Sequence, residues 1–97
     1  MTAERSAIQV LLVEDDPAQR LLVGDLLSQQ GYHVQRAAGL EEARRALSEP
    51  NLQLVISDFR LADGDGLALL REVRSPRAEL SFVLVTAYGS VEHAVQA

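Results

Sequence analysis

The sequence predicts an α/β fold of the (βα)₄ kind, a parallel sheet with helices on its faces. Three observations predict it. Nearly continuous apolar runs at 7–13, 52–57 and 80–86 have the character of strands buried on both faces. Stretches with helical spacing lie between these runs. Strands and helices alternate throughout, which implies parallel neighbours joined by crossovers.

Each element has its own signal. Residues 7–13 (AIQVLLV) are the first strand. In 17–30 (PAQRLLVGDLLSQQ), Ala18, Leu22 and Leu26 recur every four residues, and Val23 and Leu27 widen the stripe. Pro17 suits a first helical turn and Gly31 a C-terminal stop. Residues 32–37 (YHVQRA) alternate apolar and polar, the pattern of a half-exposed strand at a sheet edge. Residues 40–48 form a short helix with Leu40, Ala43 and Leu47 on one face, broken by Pro50 and Asn51. Residues 52–57 are a buried strand and 59–65 a loop. Residues 66–74 are a third helix with Leu67, Leu70 and Val73 inward, and Pro76 ends that segment. The strand at 80–86 leads to the start of a fourth helix at 90–97, with Ser90 a suitable N-cap.

Length and composition bound what such a fold can do. At 97 residues the chain is one domain, 1–97, without repeats or linkers. It is 47% hydrophobic and 24% charged, which excludes a disordered tail. No run approaches the ~20 apolar residues of a membrane span. With 9 basic and 14 acidic side chains the net charge is −5, which argues against direct nucleic-acid binding. The absence of cysteine excludes disulfides, thiolate zinc sites and cysteine nucleophiles. The first residues have no signal-peptide architecture, so the expected location is the cytoplasm.

The strand at 80–86 is as apolar as the central ones and is expected to have neighbours on both sides. The chain ends eleven residues later inside a predicted helix without a C-cap. At least one further strand and helix are expected to be missing; a small four-stranded domain is the alternative. Without them the edge of 80–86 is expected to be unpaired and part of the 17–30 face uncovered. Weak stability, a homodimer or strand exchange with another chain would follow.

In an open parallel sheet, ligands bind outside the carboxyl ends of the strands. Glu14, Asp15 and Asp16 follow the first strand, Asp58 follows 52–57, and Thr86 closes 80–86, followed by Ala87. Carboxylates gathered on one rim repel unless a cation binds, and hard oxygen donors suit Mg²⁺ or Mn²⁺. A carboxylate beside such an ion can attack phosphorus. Taken singly, each residue has a plainer role. Asp15 or Asp16 before Pro17 is a ready N-cap, Asp58 a loop residue bonding nearby N–H groups, and Thr86 a β-branched strand end. The DGDG at 63–66 reads as a turn; as a calcium loop it would put Leu67 and Arg74 at ligand positions, which rejects it. His33 reads as polar-face and His93 as an early helix residue, and Tyr88 as a partly buried loop aromatic. The Arg residues on 36–45 read as a solvated face. The coincidence of suitable oxygen groups at three strand ends is what stands out.

The segments LLVEDDPAQR, LVISDFRLADGDGL and FVLVTAYGS closely resemble the receiver domain of two-component response regulators, in order and over nearly the whole chain. The tail TAYGSVEHAVQA is most similar to receivers attached to sigma-54-dependent transcription activators. The resemblance implies a three-layer, flavodoxin-like (CheY-like) parallel sheet of order 2-1-3-4, lacking the fifth strand and fifth helix. It implies that Asp58 is the phosphoacceptor and that Glu14 and Asp15 hold Mg²⁺, Asp15 directly and Glu14 through water. The Arg60 backbone carbonyl would bind the metal, the Thr86 hydroxyl would hydrogen-bond the phosphoryl group, and the Ala87 backbone lies beside it. The implied partners are a sensor histidine kinase or phosphotransfer protein and an output domain in a longer parent chain.

There are two departures from the family. Ala62 stands where Pro is frequent, which should loosen the loop. The Lys of the family's fifth strand has no counterpart, since all 9 basic residues are Arg, and the switch aromatic of that strand is absent too. Three functions follow for comparison. The first is a phosphoacceptor signalling domain that is not a turnover enzyme. The second is a receiver-like interaction module without phosphorylation. The third, an aspartate phosphohydrolase, needs an acid where Arg60 stands, which argues against it.

Overall fold

A strand with apolar residues at consecutive positions needs cover on both faces. In the computed structural model, which describes residues 7–74, 77, 79–85 and the strand backbone at 91–93, the sheet supplies that cover. Along the chain the elements are β1 (Gln9–Val13), α1 (Pro17–Gln29), β2 (His33–Ala37), α2 (Leu40–Ala46), β3 (Leu54–Asp58), β4 (Arg60–Leu61), β5 (Gly64–Asp65), α3 (Gly66–Arg74), β6 (Ser81–Val85) and β7 (Val91–His93). The main sheet has the order β2-β1-β3-β6-β7. β2, β1, β3 and β6 are parallel, so the predicted order of the four parallel strands holds.

Burial follows position in the sheet. Val10, Leu11, Leu12 and Val13 of central β1 are all buried. β2, at the edge, exposes His33 and Gln35, as its alternation predicts, while at its end the alternation fails, with Arg36 exposed and Ala37 buried. β3 and β6 share one burial pattern, with Val55, Ser57, Phe82 and Leu84 inside. Leu11, Val13, Val55, Phe82 and Leu84 form the main core with Leu40, Ala43 and Ala46 of α2 and Leu69, Leu70 and Val73 of α3. Val10 and Leu12 point to the opposite face by strand alternation.

One expectation is met and two are corrected. Ala18, Leu22 and Leu26 of α1 are exposed, and Leu21 with them, so part of this helix face is uncovered as expected. The buried residue of α1 is Gly24, with Val23 and Leu27 half-buried on its side. Positions two residues either side of Gly24 point away from it at 100° per residue. The Arg36 guanidinium crosses the helix beside Gly24 to reach Asp25 at 3.1 Å. A Cβ at 24 would stand 2.5 Å from Arg36 Cζ.

The first correction concerns the chain's last stretch. Residues 91–93 are not helical. They pair antiparallel with β6, Val83 opposite His93 and Val85 opposite Val91, so the edge expected to be open is covered by the same chain. An apolar strand with free backbone groups is a strong template for pairing. Ser90 lies outside the described residues, as do Thr86, Ala87 and Tyr88. The loop at 59–65 also differs from expectation, since it folds into the small antiparallel pair β4–β5.

Two arginines tie elements together. Arg44 makes a bidentate pair with Glu72 at 2.8 and 2.7 Å, joining α2 to α3. At the amino end of the sheet, Arg77 donates to the carbonyls of Leu47, Glu49, Pro50 and Leu52 at 2.9–3.3 Å. It thereby closes the α2–β3 connection. Arg77→Ala is expected to lower stability by about 2 kcal/mol, since charged hydrogen bonds to four carbonyls, those of Leu47 and Leu52 part-buried, are lost together. Urea denaturation, with an unchanged slope, is the measurement.

Candidate functional site

The site begins with strand register. Val13 lies opposite Ser57 across β1 and β3, so the residues that follow, Glu14 and Asp58, leave the sheet side by side. Glu14 N–H donates to Ala37 O at 3.0 Å, which keeps the chain in the sheet one residue longer. The three acidic residues after β1 then separate. Asp16 is the α1 N-cap: its Oδ1 accepts the Ala18 N–H at 2.9 Å, and its own N–H donates to Glu14 Oε2 at 3.1 Å. Capping turns Asp16 toward the helix and leaves Asp15 at the rim. Of the two candidate caps, the structure selects Asp16.

Glu14, Asp15 and Asp58 each offer a carboxylate oxygen, and these oxygens lie within 4.8 Å of one another. All three residues are half-buried. Burial pushes the Glu14 carboxyl up from its ordinary range, and the charges of Asp58, Asp15 and Asp16 push it further. Asp58 is raised by burial first and by Asp15 as well, with the N–H groups of Phe59 and Arg60 pulling the other way. Arg20 Nη1 donates to the Glu14 carbonyl at 2.8 Å, so this cation anchors backbone. The donor set is all oxygen and acidic, which fits a hard divalent cation and not zinc. Arg60 lies in β4 two residues past Asp58, with its side chain exposed.

The backbone under Asp58 is held from three sides. Phe59 N–H donates to Val85 O at 2.8 Å, and Gly66 N–H donates to Phe59 O at 2.8 Å. Ser57, fully buried, donates from Oγ to Asp58 O at 2.9 Å. A Cβ on Gly66 would come within 2.6 Å of Asp58 O and 2.8 Å of Ser57 Oγ. Sequence reasoning missed these supports. A polar serine in an apolar run before an acidic residue was the available signal for Ser57. For Gly66 the signal was a glycine opening a helix. The aspartates of DGDG are both caps: Asp65 Oδ1 accepts the Ala68 N–H at 2.8 Å on α3, and Asp63 reaches α2. Only the first has a local signature, an acid three residues before the N–H it caps.

The comparisons agree with this geometry. The family model of the response regulator receiver domain matches residues 10–97. The chain belongs to the response regulator receiver family. Among relatives of this receiver, the transcriptional regulatory protein GlrR of Escherichia coli is 38% identical over 88 residues, 91% of this chain and 20% of that protein. The chain thus spans about a fifth of the curated relatives it matches. The non-phosphorylated HemR receiver domain of Leptospira biflexa superposes with a TM-score of 0.76 at 36% identity, over 82% of this chain and 64% of that one. Response regulator protein TrrA of Thermotoga maritima, solved in complex with Mg(2+)-BeF, gives 0.78 at 32% identity, over 84% and 70%. Among the described residues, no helix of this receiver is long and apolar enough to cross a membrane.

Two outcomes follow. Because Glu14 and Asp58 are raised in the folded state, their favourable contribution is present below the ordinary carboxylate range and is lost as pH rises through the raised values. Asp58→Asn is therefore expected to raise the melting temperature of the metal-free protein at neutral pH by about 2–4 °C, and to add nothing at acid pH. Gly66→Ala is expected to destabilise by about 1–3 kcal/mol through overpacking against Ser57 and Asp58, read by the same melts.

Proposed function

We propose that this chain is a phosphoacceptor receiver that takes a phosphoryl group onto Asp58 from the phosphohistidine of a sensor kinase or phosphotransfer protein. The convergence of Glu14, Asp15 and Asp58 within 4.8 Å carries the reading. Three carboxylates held this close, with Glu14 and Asp58 raised, are an arrangement that a bound cation would relieve. Asp15 and the Arg60 carbonyl would hold Mg²⁺ or Mn²⁺ directly, Glu14 would act through water, and Asp58 would contribute an oxygen. When bound, the ion supplies positive charge that offsets the phosphoryl oxygens.

The chain's own residues do the rest. An Asp58 carboxylate oxygen attacks phosphorus as the P–N bond breaks. The electron pair of that bond returns to the imidazole, which leaves neutral when its other nitrogen carries a proton. Asp58 is left as a mixed anhydride. Thr86 would hydrogen-bond the phosphoryl oxygens through its hydroxyl, with the Ala87 backbone beside it. The receiver is consumed by its own reaction and reset by hydrolysis, so it does not act as a turnover enzyme on a separate substrate. The relatives are about five times as long as this chain, which supports a parent with an output domain, placed in the bacterial cytoplasm and acting in transcription. The domain reading of 1–97 as an incomplete receiver belongs to the same proposal.

Intact-mass spectrometry after acetyl phosphate with Mg²⁺ tests it. One added phosphoryl group is expected, absent when EDTA replaces Mg²⁺ and absent from Asp58→Asn. No gain by a folded, Mg²⁺-binding chain would leave a protein-interaction module in its place.

A further inference from the structure

The tip of the β4–β5 hairpin is fastened to the start of α2 by one side chain. Asp63 Oδ1 accepts the Leu40 N–H at 2.9 Å, and Oδ2 accepts the Glu41 N–H at 3.3 Å. The N-cap residue of α2, Gly39, makes no side-chain cap of its own. Gly39 is extended, a conformation open to any residue, so space selects glycine there. A Cβ at 39 would stand 2.8 Å from Asp63 Oδ1. On the other side of the tip, a Cβ on Gly64 would run into Cδ1 of buried Leu40. The tip is thus seated on α2 by hydrogen bonds and by close fit together.

A helix start needs no such arrangement for its own stability. Ser, Thr, Asn or Asp at position 39 would cap α2 locally. The long-range cap does something a local one cannot, which is to join α2 to the segment just after Asp58. The root of that segment is tied to the sheet by Phe59 and Gly66. Arg60 lies between root and tip, paired with Asp65. With both ends tied, the backbone at Arg60 has little room to move.

We propose that Asp63 is a positioning residue for the metal site: its cap on α2 sets the β4–β5 hairpin, and so places the Arg60 carbonyl beside Glu14, Asp15 and Asp58. This rests on the reading of Asp58 as a metal-dependent phosphoacceptor. Coupling between two sites is reciprocal. Losing the cap weakens metal binding, and metal binding tightens the cap.

The test is Mg²⁺ titration of the full chain, with amide exchange at Leu40 and Glu41 followed with and without Mg²⁺. Asp63→Ala is expected to weaken Mg²⁺ binding by about fivefold. Asp63→Asn, which keeps an acceptor for Leu40, should lose about twofold. Gly39→Ala, which crowds the same cap, should resemble Asp63→Ala. In the unsubstituted chain, Mg²⁺ should slow exchange at Leu40 and Glu41 by a similar factor. Arg77→Ala, at the far end of the sheet, should leave Mg²⁺ binding unchanged despite its cost in stability. Unchanged Mg²⁺ binding in folded Asp63→Ala and Gly39→Ala, or Mg²⁺-insensitive exchange at Leu40, would overturn the positioning role and leave the acceptor reading standing. No Mg²⁺ binding by the unsubstituted chain would overturn both.

Discussion

The pairing of β1 with β3 is the constraint from which the rest of the molecule follows. Parallel register sets Val13 against Ser57, so Glu14 and Asp58 must emerge together at the carboxyl edge. The apolar residues behind them make that register costly to change. A slip of one residue would turn Leu11, Val13 and Val55 to the wrong face. Hydrophobic burial in the sheet therefore holds like charges together that would otherwise separate. The raised carboxyls of Glu14 and Asp58 are the electrostatic consequence.

The residues around the cluster work against its dispersal without neutralising it. Asp16 is drawn away into the α1 cap, which leaves three carboxylates at the rim. Arg20 bonds a carbonyl. Ser57 and Gly66 hold the Asp58 backbone through a hydrogen bond and a close fit. A site prepared in this way has its negative charge gathered before any cation arrives, which is what a hard divalent ion requires. The hairpin after Asp58 adds a second tie, to α2.

Much of this was legible in the sequence because it depends on patterns that are local. The apolar runs of β1, β3 and β6 and the alternation of β2 lie within single segments, and so do the acids at the strand ends. What was not legible depends on partners distant in sequence. Leu22 and Leu26 have the spacing of a buried stripe, but the face of α1 turned to the rest of the fold is that of Gly24, Val23 and Leu27. The helix expected at 90–97 has ordinary helical composition, yet the open edge of β6 pairs 91–93 as a strand. Asp63 shows nothing in its own segment of its bond to Leu40, twenty-three residues earlier. Asp15 and Asp16 are equal as caps until the turn before Pro17 is built. The positions of Thr86 and Ala87 rest on the family resemblance, since they lie outside the described residues.

If the clustered charge is held for a cation, folding itself should report the ion. The most direct measurement is the melting temperature against Mg²⁺ concentration, compared with NaCl at matched ionic strength and repeated with Asp15→Asn. A ligand that binds only the folded state stabilises by RT ln(1 + [L]/Kd), about 2.7 kcal/mol at a hundredfold excess over Kd. The expected result is a saturating rise specific to Mg²⁺ that Asp15→Asn abolishes. An equal rise with NaCl, or one that survives Asp15→Asn, would show that the cluster is only screened, and would contradict a metal site at this edge.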